Sequence, residues 1–338
     1  MKFLFVLITW GAGIPFCIAQ SFQRYSVVIH EISPDPSPPV GLPSFEFVEI
    51  RNRSSNVINL KQWKLSDGSS TAIIPSDIFL QPDSLIILCS NSAMPHLSLF
   101  GRTIGMTNFP TLNNEGDQLI LLGPDNKVVH AIQYDIEWYN NIIKAQGGWT
   151  LEMIDPNNPC LEKDNWKAST DPKGGTPGKE NAVQDKIMDL ASPLPIRSIA
   201  IDNHTAFIFF SEPLSNTVLI PNVHLATSSN LPIASIETEP PFFRNARITF
   251  ANEMQSDSVY ILTARGIKDC VGNEMPETVA IPFGIPAIPL KGDIIFNELL
   301  FNPRPGKYDF AELYNRSKRI IDMRDILIGT LSITGTII

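Results

Sequence analysis

The chain has 338 residues, more than one ordinary domain holds, so two or three domains are expected. It is acidic, with 26 Lys and Arg against 35 Asp and Glu, a net charge of −9 and a pI of about 5.1. No basic stripe offsets that excess, which excludes a partner held through phosphate neutralisation, nucleic acid above all.

The chain opens on Lys2 followed by an apolar run over residues 3–16 and then Cys17-Ile18-Ala19. This is the pattern of a secretory signal peptide over residues 1–19, with small residues placed for cleavage after Ala19. The uncharged run is shorter than the roughly 20 residues a spanning helix needs. No later stretch is apolar enough to cross a bilayer. The mature chain is therefore expected outside the cell or on its surface, with no membrane span.

From residue 25 onward the apolar segments are short, β-branched and separated by Asn, Asp, Gly and Pro clusters, and the chain holds 28 prolines. That pattern predicts an all-β protein. Strands are expected over residues 25–29, 45–50, 85–88 and 118–122, with a hairpin turn between Leu122 and Val129. Weak helical periodicity occurs only near residues 138–145 and 183–190. A run of turn residues from Ser169 to Gly178 carries no apolar face and is expected to close the first domain and lead into a linker. A second set of strands follows over residues 196–201, 205–210, 246–250 and 259–264, spaced as in a small sandwich.

The chain also repeats itself. Val28-Ile29-His30-Glu31-Ile32 matches Ile295-Phe296-Asn297-Glu298-Leu299, and Phe47-Val48-Glu49-Ile50-Arg51-Asn52-Arg53-Ser54 matches Phe310-Ala311-Glu312-Leu313-Tyr314-Asn315-Arg316-Ser317. Only the loop between the two glutamates changes length, as expected where a duplicated domain diverges. The second copy stops before counterparts of the later strands, so an incomplete sandwich and a longer natural product are expected. The resulting division is a signal peptide at 1–19, a first sandwich at 25–182, a linker at 183–194, a second sandwich at 195–285 and the start of a third unit at 291–338.

The first sandwich resembles the lamin tail domain family as found in exported proteins of Bacteroidetes-type bacteria. The resemblance is carried by His30-Glu31-Ile32, Phe47-Val48-Glu49-Ile50-Arg51-Asn52, Leu60-Lys61-Gln62-Trp63-Lys64-Leu65, Leu112-Asn113-Asn114-Glu115-Gly116-Asp117, Gly147-Gly148-Trp149-Thr150-Leu151-Glu152 and Asn165-Trp166. The second is similar to a bacterial Ig-like module through Ala206-Phe207-Ile208-Phe209-Phe210-Ser211-Glu212-Pro213 and Gly266-Ile267-Lys268-Asp269-Cys270. The resemblances imply an Ig-like β-sandwich, then a second one, then a partial third, and a role in scaffolding, display or adhesion.

The short signatures of hydrolase, zinc and nucleotide sites do not occur in the chain. His30, His96, His130, His204 and His224 are far apart and read as strand or loop residues rather than ligands. Glu31 and Glu49, with their repeat equivalents Glu298 and Glu312, could be an acid–base or metal pair. Their reading as structural carboxylates that accept backbone N–H bonds is preferred. The acidic turns around Asp155, Asp164 and Asp269 read as Asx turns rather than a calcium loop. Trp63 and Trp149 are expected in the core. No catalytic, cofactor-binding or metal residues and no cofactor are expected.

Cleavage of the signal removes Cys17 and leaves Cys89, Cys160 and Cys270, for which export permits a disulfide. Cys89 and Cys160 are expected to pair, because both fall in the first domain; three buried free thiols are the alternative. The functional expectation is a non-enzymatic secreted or cell-surface structural or interaction protein, binding an unknown protein or glycan. The alternative is the non-catalytic front of a secreted hydrolase or nuclease whose catalytic domain lies beyond residue 338.

Overall fold

The computed structural model describes residues 22–215, 231–275, 279–324 and 326–329. The expected signal segment 1–19, His224 and the last residues of the third unit lie outside them. Among the described residues, strands make up 37% and helix 5%, which is the all-β class with several sheets. Among the described residues no helix is long and apolar enough to cross a membrane.

The first part of the molecule runs β1 (Val27–Ser33), β2 (Phe47–Asn52), β3 (Ile58–Asn59), β4 (Lys64–Ser66), β5 (Thr71–Ile73) and β6 (Phe79–Leu80). It continues through β7 (Leu85–Ser90), β8 (Thr103–Met106), β9 (Gly116–Leu122), β10 (Val128–Asp135), β11 (Leu151–Met153) and β12 (Trp166–Ala168). One sheet has six strands in the order β12-β11-β1-β2-β7-β8, and the other has four in the order β10-β9-β4-β5. One apolar core draws on both sheets, including Ile29, Ile50, Leu65, Leu121 and Ile132. Trp63 is fully buried in it, with Phe22 edge-on at 4.8 Å between ring centres. The expected hairpin forms between β9 and β10, closed by Gly123 N–H donating to Lys127 O at 2.9 Å, with Asn126 at φ 63°.

A sheet with one wet face alternates buried and exposed side chains along each strand. In β1 and β2, however, every residue is buried. Phe47 is covered by a small cluster with Ala93 and Leu97, and His30, Glu31 and Glu49 by residues 174–183, hereafter the strap, which return across the outer side of the sheet. Asn181 Nδ2 donates to His30 O at 2.9 Å and to Met153 O at 2.8 Å. The turn-rich run expected to close the first domain is an integral layer of the first sandwich, with residues 174–177 buried. A strap can lie this close only where side chains are missing. A Cβ on Gly175 would meet Thr150 Cγ2 at 2.6 Å and Glu31 Oε1 at 2.7 Å, and Gly178 sits at φ +78° against the backbone of Phe100 and Gly101.

The second part comprises β13 (Pro195–Ala200), β14 (Thr205–Phe210), β15 (Ile233–Thr238), β16 (Asn245–Phe250), β17 (Tyr260–Ala264) and β18 (Val279–Phe283). They form a four-stranded sheet, β13-β14-β16-β15, and the pair β17-β18. Here β14 and β17 do alternate, and a separate core forms around Ile208, Ile248, Leu262 and the stacked rings of Phe250 and Phe283. The third part is the hairpin β19 (Ile294–Leu300) and β20 (Phe310–Asn315).

Two expectations fail. Residues 183–190 form no helix; the segment instead bonds to the first sandwich, with Asp185 N–H donating to Ile154 O and Ile187 N–H to Asp155 Oδ2. Near residues 138–145 there are only two 3₁₀ turns, Ile136–Tyr139 and Lys144–Gln146.

The predicted Cys89–Cys160 pair does not form. Cys160 is bonded to Cys270 across the two sandwiches, with the Cα atoms 6.2 Å apart, and Cys89 is a buried free thiol. Cys89 lies inside β7 in a small cluster with Phe47, Ile87 and Leu97 on the opposite face from the main core. Cys160 lies on a loop that meets the second sandwich. Pairing by domain fails because the linker folds back and brings loops of different domains together.

Candidate functional site: a buried carboxylate row and an interdomain junction

Strand pairing sets three glutamates side by side across the six-stranded sheet. Glu31 of β1 is opposite Glu49 of β2 on one side and opposite Glu152 of β11 on the other. A bulge between Ile29 and Glu31 resets the register, so that Glu31 aligns with both neighbours. All three are fully buried.

Their oxygens are turned to the strap. Thr176 N–H donates to Glu31 Oε1 at 2.8 Å, and Gly178 N–H to Glu49 Oε2 at 2.5 Å. Glu152 accepts from the Thr176 hydroxyl at 2.8 Å and from Val183 N–H at 3.1 Å. Each bond satisfies a strap group that burial would otherwise strand. Glu31 Oε2 has no hydrogen-bond partner. Burial pushes all three carboxyls above the usual range, Glu49 to about 8, and for Glu31 the neighbouring Glu49 and Glu152 push further.

The basic groups nearby are committed elsewhere. Arg51 is bonded to Asp83 Oδ1 at 2.6 Å and Glu180 Oε2 at 2.7 Å. His30 lies 3.4 Å from Glu49 Oε1, but burial and then Arg51 depress its pKa to about 4, so it is neutral near pH 7. His130 accepts from Ile29 N–H at 2.9 Å and burial lowers it to about 3. Both are core histidines.

The repeat copy has the same geometry in a different setting. Glu298 is opposite Glu312 after a bulge between Phe296 and Glu298, yet both are exposed. The repeat thus brings Glu31 and Glu49 together, and Glu298 and Glu312 together, while the two pairs stay apart. Glu152 is the residue that sequence reasoning missed. Its one signal was its place in the Gly147 to Glu152 motif, since a three-residue strand shows no periodicity of its own.

At the junction of the sandwiches, Arg24 Nη1 donates to Leu214 O at 2.6 Å and its guanidinium stacks 4.0 Å over Phe243. Arg244 Nε donates to Glu162 Oε1 at 2.9 Å. Beside the disulfide, carboxylate oxygens of Asp189, Glu212 and Asp269 lie within 4.8 Å of one another. Burial, then Asp189 and Asp269, raise Glu212 to about 7. Asp269 Oδ1 accepts N–H bonds from Val271, Gly272 and Asn273, and Asp155 Oδ1 one from Asn157, so both acidic turns are Asx-type turns. Trp63, Trp138 and Trp166 are buried, and Trp149 packs half-buried under the Lys144 ammonium at 4.2 Å.

Residues 20–135 match the family model of the Lamin Tail Domain. The matched residues contain Glu31 and Glu49, whereas Glu152 and the strap lie beyond them. No curated protein sequence matches the chain. Among solved structures, the chain is similar to the N-terminal part of the bacterial S-layer protein SbsC, with 23% identity, 32% of this chain and 26% of that chain covered and a TM-score of 0.26. It is also similar to a structure of surface layer protein SbsC domains 1-6, with 24% identity, 32% and 15% coverage and a TM-score of 0.26. The chain thus spans about a quarter or less of those structures, and superpositions of that quality carry no inference about it.

Proposed function

We propose that this chain is an exported, non-enzymatic structural or interaction protein of the bacterial cell surface, in which the lamin-tail sandwich is locked to a second sandwich as one stiff unit. The observation that carries this reading is the Cys160–Cys270 cross-link between the two sandwiches. Disulfides persist in oxidising compartments, which suits a chain led by a signal peptide over residues 1–19. The proposed division remains a sandwich at 25–182, a linker at 183–194, a second sandwich at 195–285 and a repeat unit from 291. The buried glutamates support a structural role, because the oxygens that could serve a substrate instead accept bonds from the strap. The partner is a protein or a glycan, in keeping with the net charge of −9.

Two measurements test the reading. Small-angle scattering of the mature chain is expected to report one fixed arrangement of the two sandwiches, which loosens under reductant. Turnover of glycoside, peptide, ester or nucleic-acid substrates that is lost in Glu31→Gln or Glu49→Gln would overturn the non-enzymatic assignment.

A further inference from the structure

We infer that the strap over residues 174–183 is a proton-held latch, closed on the Glu152–Glu31–Glu49 row when the carboxyls carry protons and released locally when they ionise. Three carboxyl groups occupy adjacent register positions on β11, β1 and β2 under one cover, and all are fully buried. Like charges directly opposite each other across strands repel, and burial removes the water that would screen them.

The surroundings supply no adequate counter-charge. On β1 the neighbouring titratable group is His30, which is neutral near pH 7. On β2 it is Arg51, held by Asp83 from the loop before β7 and by Glu180 of the strap itself. Near β11, Lys144 is drawn to Ser169 O and over the Trp149 ring. Glu180 adds a further negative charge that raises Glu49. Glu31 Oε2 makes no well-formed hydrogen bond, the Thr150 hydroxyl being the one donor that acts on this carboxyl besides the strap, so an ionised Glu31 would bury a poorly satisfied charge.

Burial outweighs the strap N–H bonds, which by themselves favour the ionised carboxylates, and holds all three carboxyls raised. An ordinary glutamate titrates at 4.5, while Glu49 in the fold is pushed to about 8. The folded strap thus retains protons that the released strap gives up, so its stability is whole below pH 4.5 and is lost as pH rises toward 8. Release stays local because the main core of the first sandwich lies on the opposite side of the sheet, packed against the β9–β10 layer.

Amide hydrogen exchange of the full mature chain tests this, after correction for the intrinsic rise of exchange with pH. The N–H groups of Thr176, Gly178 and Val183 are expected to lose protection by up to about tenfold per pH unit for each proton shed, between about pH 4.5 and about pH 8, and to level off above that. The β9–β10 amides should stay protected over that range. Glu49→Gln, which keeps an acceptor but cannot ionise, is expected to flatten the strap profile. Glu31→Gln provides a second reading if the first variant folds poorly. A strap profile independent of pH in the wild-type chain would overturn the latch. So would loss of β9–β10 protection in step with the strap, or a wild-type slope in both variants.

Discussion

The hairpins β1–β2 and β19–β20 are the same piece of structure in two environments. Both place a glutamate opposite a glutamate, both bulge two residues before the first of them, and both end in an Asn whose side chain binds the Ser two residues on. In β1–β2 every side chain is buried, whereas in β19–β20 Phe296 is 54% and Leu299 57% exposed. Register, bulge and turn are therefore properties of the local sequence. Burial is supplied by neighbours in space, namely β7, β11, the second sheet and the strap. The difference shows that paired glutamates have no fixed chemistry. They are ordinary surface acids in one hairpin and raised, strap-binding groups in the other.

The sharpest way to break this comparison is to cut the same position in both hairpins. Ile29 and Phe296 are equivalent, each just before its bulge. Ile29→Ala is expected to cost about 2–5 kcal/mol, because it leaves a cavity in a closed core. Phe296→Ala should stay within about 0.5 kcal/mol, since it removes an exposed ring. Urea midpoints read from tryptophan fluorescence would settle it, and equal shifts would show that the second hairpin has a buried environment of its own.

The next effect concerns how the units are joined. The first sandwich is tied to the second by a covalent link spanning 110 residues of sequence, and the β19–β20 hairpin to what precedes it by contacts such as Arg319 with Asp293 and Asp257. Loss of the link in Cys270→Ser is expected to cost about 2–4 kcal/mol. Protease cutting in residues 183–194 should become faster, while cutting in residues 284–293 should keep its rate. An unchanged pattern at 183–194 would mean that the Arg24 and Arg244 contacts hold the junction by themselves.

Much of this was legible in the sequence, and the exceptions share a cause. Short β-branched apolar runs between turn residues reveal β2, β7, β9, β10, β14 and β16, and the duplicated motif puts Glu31 and Glu49 forward as a pair. The strap was not legible, because Gly174-Gly175-Thr176-Pro177-Gly178 has the composition of a solvated turn. Its burial rests on backbone donors meeting side chains far away in the chain. The Cys160–Cys270 pair was missed for the same reason, since it depends on how two domains meet. At residues 183–190 a weak apolar period suggests a helix, but the backbone N–H groups of Asp185 and Ile187 bond to the first sandwich instead of to their own segment.

The finest test of the comparison lies in the closing Asn of each hairpin. Asn52 Oδ1 accepts from Ser54 N–H at 2.9 Å and its Nδ2 donates to Asn56 O at 2.8 Å; Asn315 makes the equivalent bonds to Ser317 N–H at 2.9 Å and Arg319 O at 2.9 Å. Asn52 adds a bond to Leu80 O at 2.9 Å, inside the sandwich, and is fully buried. Asn52→Ala therefore removes a bond made inside the sandwich and leaves a small buried gap, at a cost of about 1–3 kcal/mol. Asn315→Ala gives up bonds that solvent replaces, and its effect should be under about 0.5 kcal/mol. Paired denaturation curves measure the difference. If both substitutions cost the same, the local turn carries the stability, and the extra bond to Leu80 contributes nothing beyond what the hairpin already has.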